Sequence, residues 1–262
     1  MKSLLERARC GDSLADLDIV DLHGHLGSIS FGVPETAPVS LVAVMDAVGV
    51  AQSVCSTMSA WSPQAAAGNG EILDAMRAHP GRILGYVSVW PSDAAAVRQE
   101  IEKRLGQGFT GIKLHNANGF EYDDPAYEPA FAIAHERRLP VLLHTWGAEK
   151  TFKAVRALAP KCPDAALLLA HAGANGEEAK YIQSARDCPN VWLDPTLSTA
   201  PRGLFARFVE AVGADRVVWG SDALFFALTP QIGRVLGARI PDRDKRKILS
   251  GNARRILGRI RR

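Results

Sequence analysis

Short apolar runs recur along the chain at a nearly even pitch, over residues 18–25, 51–57, 82–90, 110–115, 140–145, 166–171, 190–195 and 216–222. Each is almost continuously apolar rather than alternating, the pattern of parallel strands covered on both faces. Between the runs the hydrophobic positions change to helical spacing. Val97, Ile101 and Leu105 repeat every four residues, between a predicted N-cap at Ser92 and Gly106 and Gly108. Asp124 and Pro125 predict a helix start ahead of Phe131 and Ala134, and residues 149–160, 175–187 and 201–213 read as helices in the same way. Eight strand–helix repeats of roughly 28 residues predict an α/β fold, a single (β/α)8 TIM barrel with residues 1–262 as one domain. An open doubly wound sheet is the alternative. Its first strand feeds a glycine-rich G-x-G-x-x-G turn, whereas this one ends in His-Gly-His-Leu-Gly.

A chain of 262 residues, 47% hydrophobic and 23% charged, has an ordinary globular composition, which excludes disordered and fibrous classes. The net charge of +3 conceals an asymmetry. Residues 239–262 hold ten Lys or Arg and two Asp, so this stretch carries +8 and the remainder −5. It has no aromatic side chain to stack on bases, which argues against a nucleic-acid partner. Ile248, Ile256, Leu257 and Ile260 instead predict an outer helix with its apolar side inward. The four cysteines, Cys10, Cys55, Cys162 and Cys188, show no C-x-x-C spacing, so reduced thiols and a cytoplasmic location are expected. No apolar run approaches the ~18–20 residues of a bilayer span, and Glu6 and Arg7 break the first run, so neither a membrane span nor a signal peptide is expected. The expected partner is a small-molecule substrate; a homo-oligomer is left open.

The informative polar residues stand where strands end. Five of the seven histidines do so: His23 and His25 on the first, His115 on the fourth, His144 on the fifth and His171 on the sixth, while Asp222 ends the eighth. Barrel chemistry is built at those ends, and buried strands tolerate polar groups poorly unless something binds them. His23 and His25, spaced i and i+2, leave one face of their strand. With His144 they offer three imidazoles, and Asp222 adds a carboxylate. That set suits zinc or a similar divalent ion and leaves a position open for water or substrate. For any single histidine a satisfied core position is the commoner explanation; the joint pattern is what points to a metal. His79 and His135 read as exposed or capping residues.

Together these residues carry a resemblance. Asp21-Leu-His-Gly-His-Leu-Gly resembles the D-x-H-x-H-x-G opening of the amidohydrolase superfamily. Gly111-Ile-Lys-Leu-His, Leu142-Leu-His, Leu169-Ala-His-Ala-Gly, Trp219-Gly-Ser-Asp and Gly251-Asn-Ala-Arg-Arg-Ile-Leu-Gly follow in that superfamily's order. The branch it is most similar to is the amidohydrolase 2 group, which includes aminocarboxymuconate-semialdehyde decarboxylase and related hydrolases. The resemblance implies one divalent metal held by His23, His25, His144 and Asp222, with zinc first and manganese or iron(II) as alternatives. It also places His171 at the strand-six histidine of the group.

Asp222 is then expected to accept a proton from water and pass it to the leaving group. His171 is expected to orient that water or polarise the substrate carbonyl; its plainer role is to hold Asp222 in place. The chain is short beside the decarboxylases, whose loop insertions help form the substrate pocket. The expectation is therefore hydrolysis of an amide, ester or lactone of a small, anionic substrate, ahead of non-oxidative decarboxylation. A barrel that only binds a ligand is a third reading, opposed by the intact ligand set. A metal-dependent DNase is opposed by Lys113 and His115, which stand where that group has a carboxylate. Lys113 reads as a binder of a substrate anion, a carbamylated bridge between two metals or a salt-bridged scaffold, with the free ammonium and a single metal preferred. His115 assists it or caps the strand. Trp61, Trp90 and Trp146 line a pocket or pack in the core. Arg202, after the seventh strand, grips a carboxylate or opens an exposed helix.

Overall fold

The computed structural model describes residues 2–27, 36–197 and 199–261. Seven of the apolar runs are strands: Ile19–Leu26 (β1), Val50–Thr57 (β2), Ile83–Ser88 (β3), Gly111–Leu114 (β4), Pro140–Leu143 (β5), Ala166–Ala170 (β6) and Val191–Asp194 (β7). They form one curled sheet in the order β1 to β7, every neighbouring pair parallel. The order never reverses, so the doubly wound alternative falls away.

The eighth run corrects the expectation of eight strands. Residues 217–223 make two isolated parallel bridges, Leu193 with Val217 and Gly24 with Ala223, rather than a ladder. The segment nevertheless touches both edge strands. Val218 N–H donates to the Leu193 carbonyl of β7 at 2.9 Å, and Leu22 N–H of β1 donates to the Trp219 carbonyl at 3.1 Å. Asp222 N–H donates to the His23 carbonyl at 2.7 Å. At its end Asp222 adopts the left-handed region, φ 58°, which no extended strand accommodates, so the segment cannot run on as a strand there.

Leu4–Cys10 (α1) precedes the sheet, held by a reciprocal Ser3–Glu6 cap. The six crossovers carry Pro38–Val48 (α2), Ala65–Ala78 (α3), Ala94–Leu105 (α4), Glu128–Arg137 (α5), Glu149–Leu158 (α6) and Glu178–Asp187 (α7). Leu204–Val212 (α8) leads from β7 to residues 217–223, and Leu228–Leu236 (α9), Asp242–Arg246 (α10) and Asn252–Leu257 (α11) follow. The cap of α4 is Asp93, one residue beyond the expected Ser92; its carboxylate accepts the Ala96 N–H at 2.8 Å. Asp124 caps a short 3-10 turn, Pro125–Tyr127, that leads into α5.

Alternate residues of each strand serve two apolar layers. Ile112, Leu114, Val141, Leu143, Leu167 and Leu169 belong to the cluster that includes Ile72, Ile101, Phe131 and Phe152 of the crossover helices. Leu142, Leu168, Val20, Leu22, Val54, Tyr86, Trp192 and Val218 form the second cluster, joined by Ala253 and Ile256 of α11. Both faces are dry, so the runs read as continuous rather than alternating. In the basic stretch, Ile248 and Ile256 are buried, and Leu257 and Ile260 are half-buried. Its cations meet acids of the body: Arg254 with Asp18 at 2.6 Å, Lys247 with Asp215 at 2.7 Å, Arg259 with Asp164 at 3.6 Å and Arg246 with Asp16 at 4.0 Å. All four cysteines are free thiols. Among the described residues no helix is long and apolar enough to cross a membrane.

Candidate metal centre and cavity

The C-terminal ends of the strands bring His23, His25, His144 and His171 together beside Asp222. The ring centroids of His23 lie 5.1 Å from those of both His25 and His171, and His144 lies 4.7 Å from His171. Close approach of the 217–223 segment depends on Gly220, where a Cβ would fall 2.3 Å from the Cβ of His23. His171 shares with Asp222 the left-handed region, at φ 57°. Such a conformation costs about 1–3 kcal/mol per non-glycine residue and persists only where the surroundings over-determine it. Here the peptide groups are pinned: the His171 carbonyl accepts from Ala174 N–H at 2.9 Å, and Asp222 N–H is bound to β1.

Beneath the histidines lies an acid-centred frame. Asp21 accepts from Ser221 Oγ at 2.6 Å, Ser53 Oγ at 3.0 Å, and the backbone N–H groups of His23 and Ser221 at 3.0 Å each. It thereby ties β1, β2 and the 217–223 segment to one carboxylate. Asp194, ending β7, accepts from His23 Nδ1 at 2.7 Å and from the backbone and hydroxyl of Thr196. His171 Nδ1 donates to the Thr196 carbonyl at 2.6 Å. His25 Nδ1 lies 2.9 Å from Ser56 Oγ, and its Nε2 lies 2.9 Å from Asp222 Oδ1.

These partners set the tautomers. A carbonyl accepts only, so His171 carries its proton on Nδ1 and its Nε2 is a bare lone pair. The Asp194 carboxylate does the same for His23. Among the described residues, His23, His171 and Asp222 form the group whose ligand atoms all lie within 4.8 Å of one another. Two lone pairs facing a carboxylate are an acceptor cluster, and a cation is the species that satisfies it. The donor set therefore fits a divalent metal, with δ nitrogens braced by acceptors as ligating histidines are. This triad differs from the expected quartet, since His171 joins it. His144 instead stacks on His115, centroids 3.7 Å apart at 17°.

Burial keeps the cluster in the protonation state that ligation needs. It pulls His23, His115 and His144 well below the usual imidazole value and lowers His171 as well, the Lys113 ammonium adding to each shift. The His23–Asp194 contact is thus a hydrogen bond from a neutral ring. Burial also lifts Asp194 to about 6 and draws Lys113 down to about 8. At Asp222 burial opposes ionisation, but His23, His25 and His171 outweigh it and hold the carboxyl well below the usual range.

A cavity of about 260 Å³ opens onto this cluster, lined by His25, His115, His144, His171 and Asp222 together with Met58, Trp61, Trp146, Phe225 and Phe226. Trp146 stands at its mouth, 51% exposed. His115 is edge-on to Trp61 at 4.9 Å. Lys113 is completely buried with Nζ 3.4 Å from His23 Nε2, and it does not line the cavity. Arg202 lies in a separate surface cleft with Arg234 and Arg239. Trp90 packs against Phe120 at 6.1 Å. Asp194 is not among the residues expected from the sequence, although a buried strand ending Val191-Trp-Leu-Asp carries the same signal as Asp222. Nor are Phe225 and Phe226, whose loop has no strand pattern to mark it.

The chain matches the amidohydrolase family model over residues 20–259 and belongs to that family, a family of enzymes. No curated protein matches it. Its fold is similar to that of three solved enzymes at low identity. One is 5-carboxyvanillate decarboxylase from Novosphingobium aromaticivorans, complexed with manganese and a nitrobenzoic acid (18% identity, TM-score 0.70, 87% of this chain and 81% of that one). Another is 2,6-dihydroxybenzoate decarboxylase from Rhizobium (17%, 0.73, 92% and 98%). The third is a probable 2-pyrone-4,6-dicarboxylic acid hydrolase from Acinetobacter baumannii with citric acid bound (15%, 0.70, 92% and 99%).

Proposed function

We propose that the chain is a metal-dependent hydrolase, acting as one barrel domain on an amide, ester or lactone. The observation that carries this reading is the convergence of two proton-free imidazole nitrogens, of buried His23 and of His171, on the Asp222 carboxylate, with His171 and Asp222 lining the cavity. His23 and Asp222 would hold the ion together with His25, and either His171, whose free nitrogen converges with theirs, or His144, the ligand expected from the sequence, would complete the set. Bound there, a divalent ion would supply Lewis acidity and a water that ionises near neutral pH. Asp222, ionised throughout the neutral range, accepts the proton of the attacking water and passes it to the leaving group. His171, its Nδ1 proton committed to Thr196, presents an acceptor nitrogen, so it orients the water rather than polarising the substrate carbonyl.

Elemental analysis of protein purified without chelators, followed by an ester, lactone and amide panel with zinc, manganese and iron(II), tests the proposal. A chain that holds no metal and takes up none of the three defeats it. Metal content of His144→Ala and His171→Ala assigns the fourth ligand: the variant that loses metal is the ligand. Non-oxidative decarboxylation is the second reading, favoured by the fold similarity to the two decarboxylases. Hydrolysis is preferred because the cavity opens to solvent beside the exposed Trp146, giving water access to the cluster. Carbon dioxide release from an aromatic acid, with no hydrolysis of the panel, reverses that preference.

A further inference from the structure

We infer that the substrate offers this cavity an uncharged, compact ring or comparable apolar group, with no anionic substituent away from the bond that reacts. The inference rests on the hydrolase reading for the reacting end of the molecule and on the cavity wall for the rest. Apart from the histidines, Thr57 and Asp222, the wall is apolar or aromatic: Met58, Ala60, Trp61, Ala117, Trp146, Phe225 and Phe226. Among the described residues no Lys or Arg lines it, and its one formal charge besides any on histidine is the negative charge of Asp222. Lys113, on which the expectation of an anionic substrate rested, is completely buried against His23 Nε2 and does not line the cavity, and Arg202 lies in another cleft. The stretch 28–35, which follows β1, and Ser198, which follows β7, contain neither Lys nor Arg.

A carboxylate seated among tryptophan and phenylalanine rings would lose its hydration and find no counter-charge there. That loss is several kcal/mol for an unpaired ion, whereas an apolar ring gains by burial and by edge-on packing against the aromatic wall. The volume, about 260 Å³, falls just under the ~300–1,000 Å³ range of ligand pockets, which sets the scale at a single or small fused ring.

The test uses matched probes. 3,4-Dihydroquinolin-2-one, a lactam that mimics a fused-ring lactone, and its benzo-ring carboxylate are titrated into the protein as purified and after chelation. Tryptophan fluorescence reads binding, and Trp61→Phe and Trp146→Phe locate the signal. The uncharged probe is expected to bind at least tenfold more tightly in both preparations. Equal or tighter binding of the carboxylate, or no binding of either probe, overturns the inference. Ala117→Arg, which adds a cation to the wall, should erase the preference, while Ala117→Gln should keep it; the same preference in both variants also counts against the inference. Turnover of dihydrocoumarin and its carboxylate is followed in parallel. Binding of the uncharged lactam without hydrolysis of any ester, lactone or amide removes the hydrolase reading and leaves this one standing. Preferred hydrolysis of the carboxylated lactone does the reverse.

Discussion

Around α10 and α11 the cations Arg246, Lys247, Arg254 and Arg259 each face an acid across half-exposed surface. At the ends of β1, β5 and β6, His23 and His171 are almost wholly withdrawn from water, His25 and His144 are partly so, and the acids beside them are buried too. The basic stretch holds the greater formal charge, yet its charges are matched in water, where each pair contributes little. The histidine cluster holds less charge and more unmet demand: lone pairs converge on a carboxylate, with the Lys113 ammonium as the nearby cation among the described residues. Burial without a matching partner, rather than charge density, marks the functional region.

The largest test of that contrast is Asp222→Asn. Turnover should fall by ~10²–10⁴-fold, the usual worth of a positioned proton acceptor, while the circular dichroism spectrum is retained. A loss below tenfold would show that Asp222 is not that acceptor. Next in size is Asp21→Ala, which strands the Ser53 and Ser221 hydroxyls and two backbone N–H groups in the interior. Hydrogen bonds to a charged group contribute about 1.5–3 kcal/mol each, so denaturant unfolding should show a loss of about 3 kcal/mol or more. A cost under 1 kcal/mol would mean that the frame is dispensable.

The two regions should also separate with pH. His23, His115, His144 and His171 have lowered values in the fold, so the unfolded chain binds more protons below its imidazole value near 6.5. Chelated protein should lose stability as pH falls from 7 to 5. Asp194 acts in the opposite sense, because its carboxyl is raised to about 6: its contribution is present below the unfolded value and lost as pH rises through 6. Four histidines outnumber it, so the melting temperature should still drop on acidification. In the basic stretch, the hydrogen bond from Lys247 lowers the Asp215 carboxyl. That contribution holds above the usual carboxylate value and fades only as pH falls through the lower folded value. A melting temperature flat between pH 7 and 5 would erase the distinction. The smallest effect is at Arg254→Ala, where an exposed ion pair should contribute about 0–1 kcal/mol and vanish in high salt.

Seven strands were legible because Leu142 and Leu168 face one apolar layer and their neighbours the other, leaving no polar position to blur the run. The eighth was misread for the same reason. Val217, Val218 and Trp219 are as apolar as any strand, and nothing in the letters shows that Asp222 turns to φ 58°. The histidines were legible by their places at strand ends. The choice between His144 and His171 was not, because it depends on ring orientation, set by the Thr196 carbonyl and by stacking on His115. Lys113 shows the limit most clearly: strand spacing sends it toward the site, but only packing reveals that its ammonium is buried against His23 Nε2 and does not reach the cavity.

The bonds from Asp21 to Ser221 join positions 200 residues apart. During synthesis the two histidines of β1 are made early and Asp222 late, separated by about 10–40 s at ~5–20 residues per second. For most of that interval a nascent chain owns only His23 of the cluster; His171 joins it some fifty residues before the Asp222 carboxylate that completes it. No truncated product ending before Asp222 has a centre to load. An ion bound by that cluster would be acquired only after the strands and Asp222 have been made, with α9 to α11 alone still to follow.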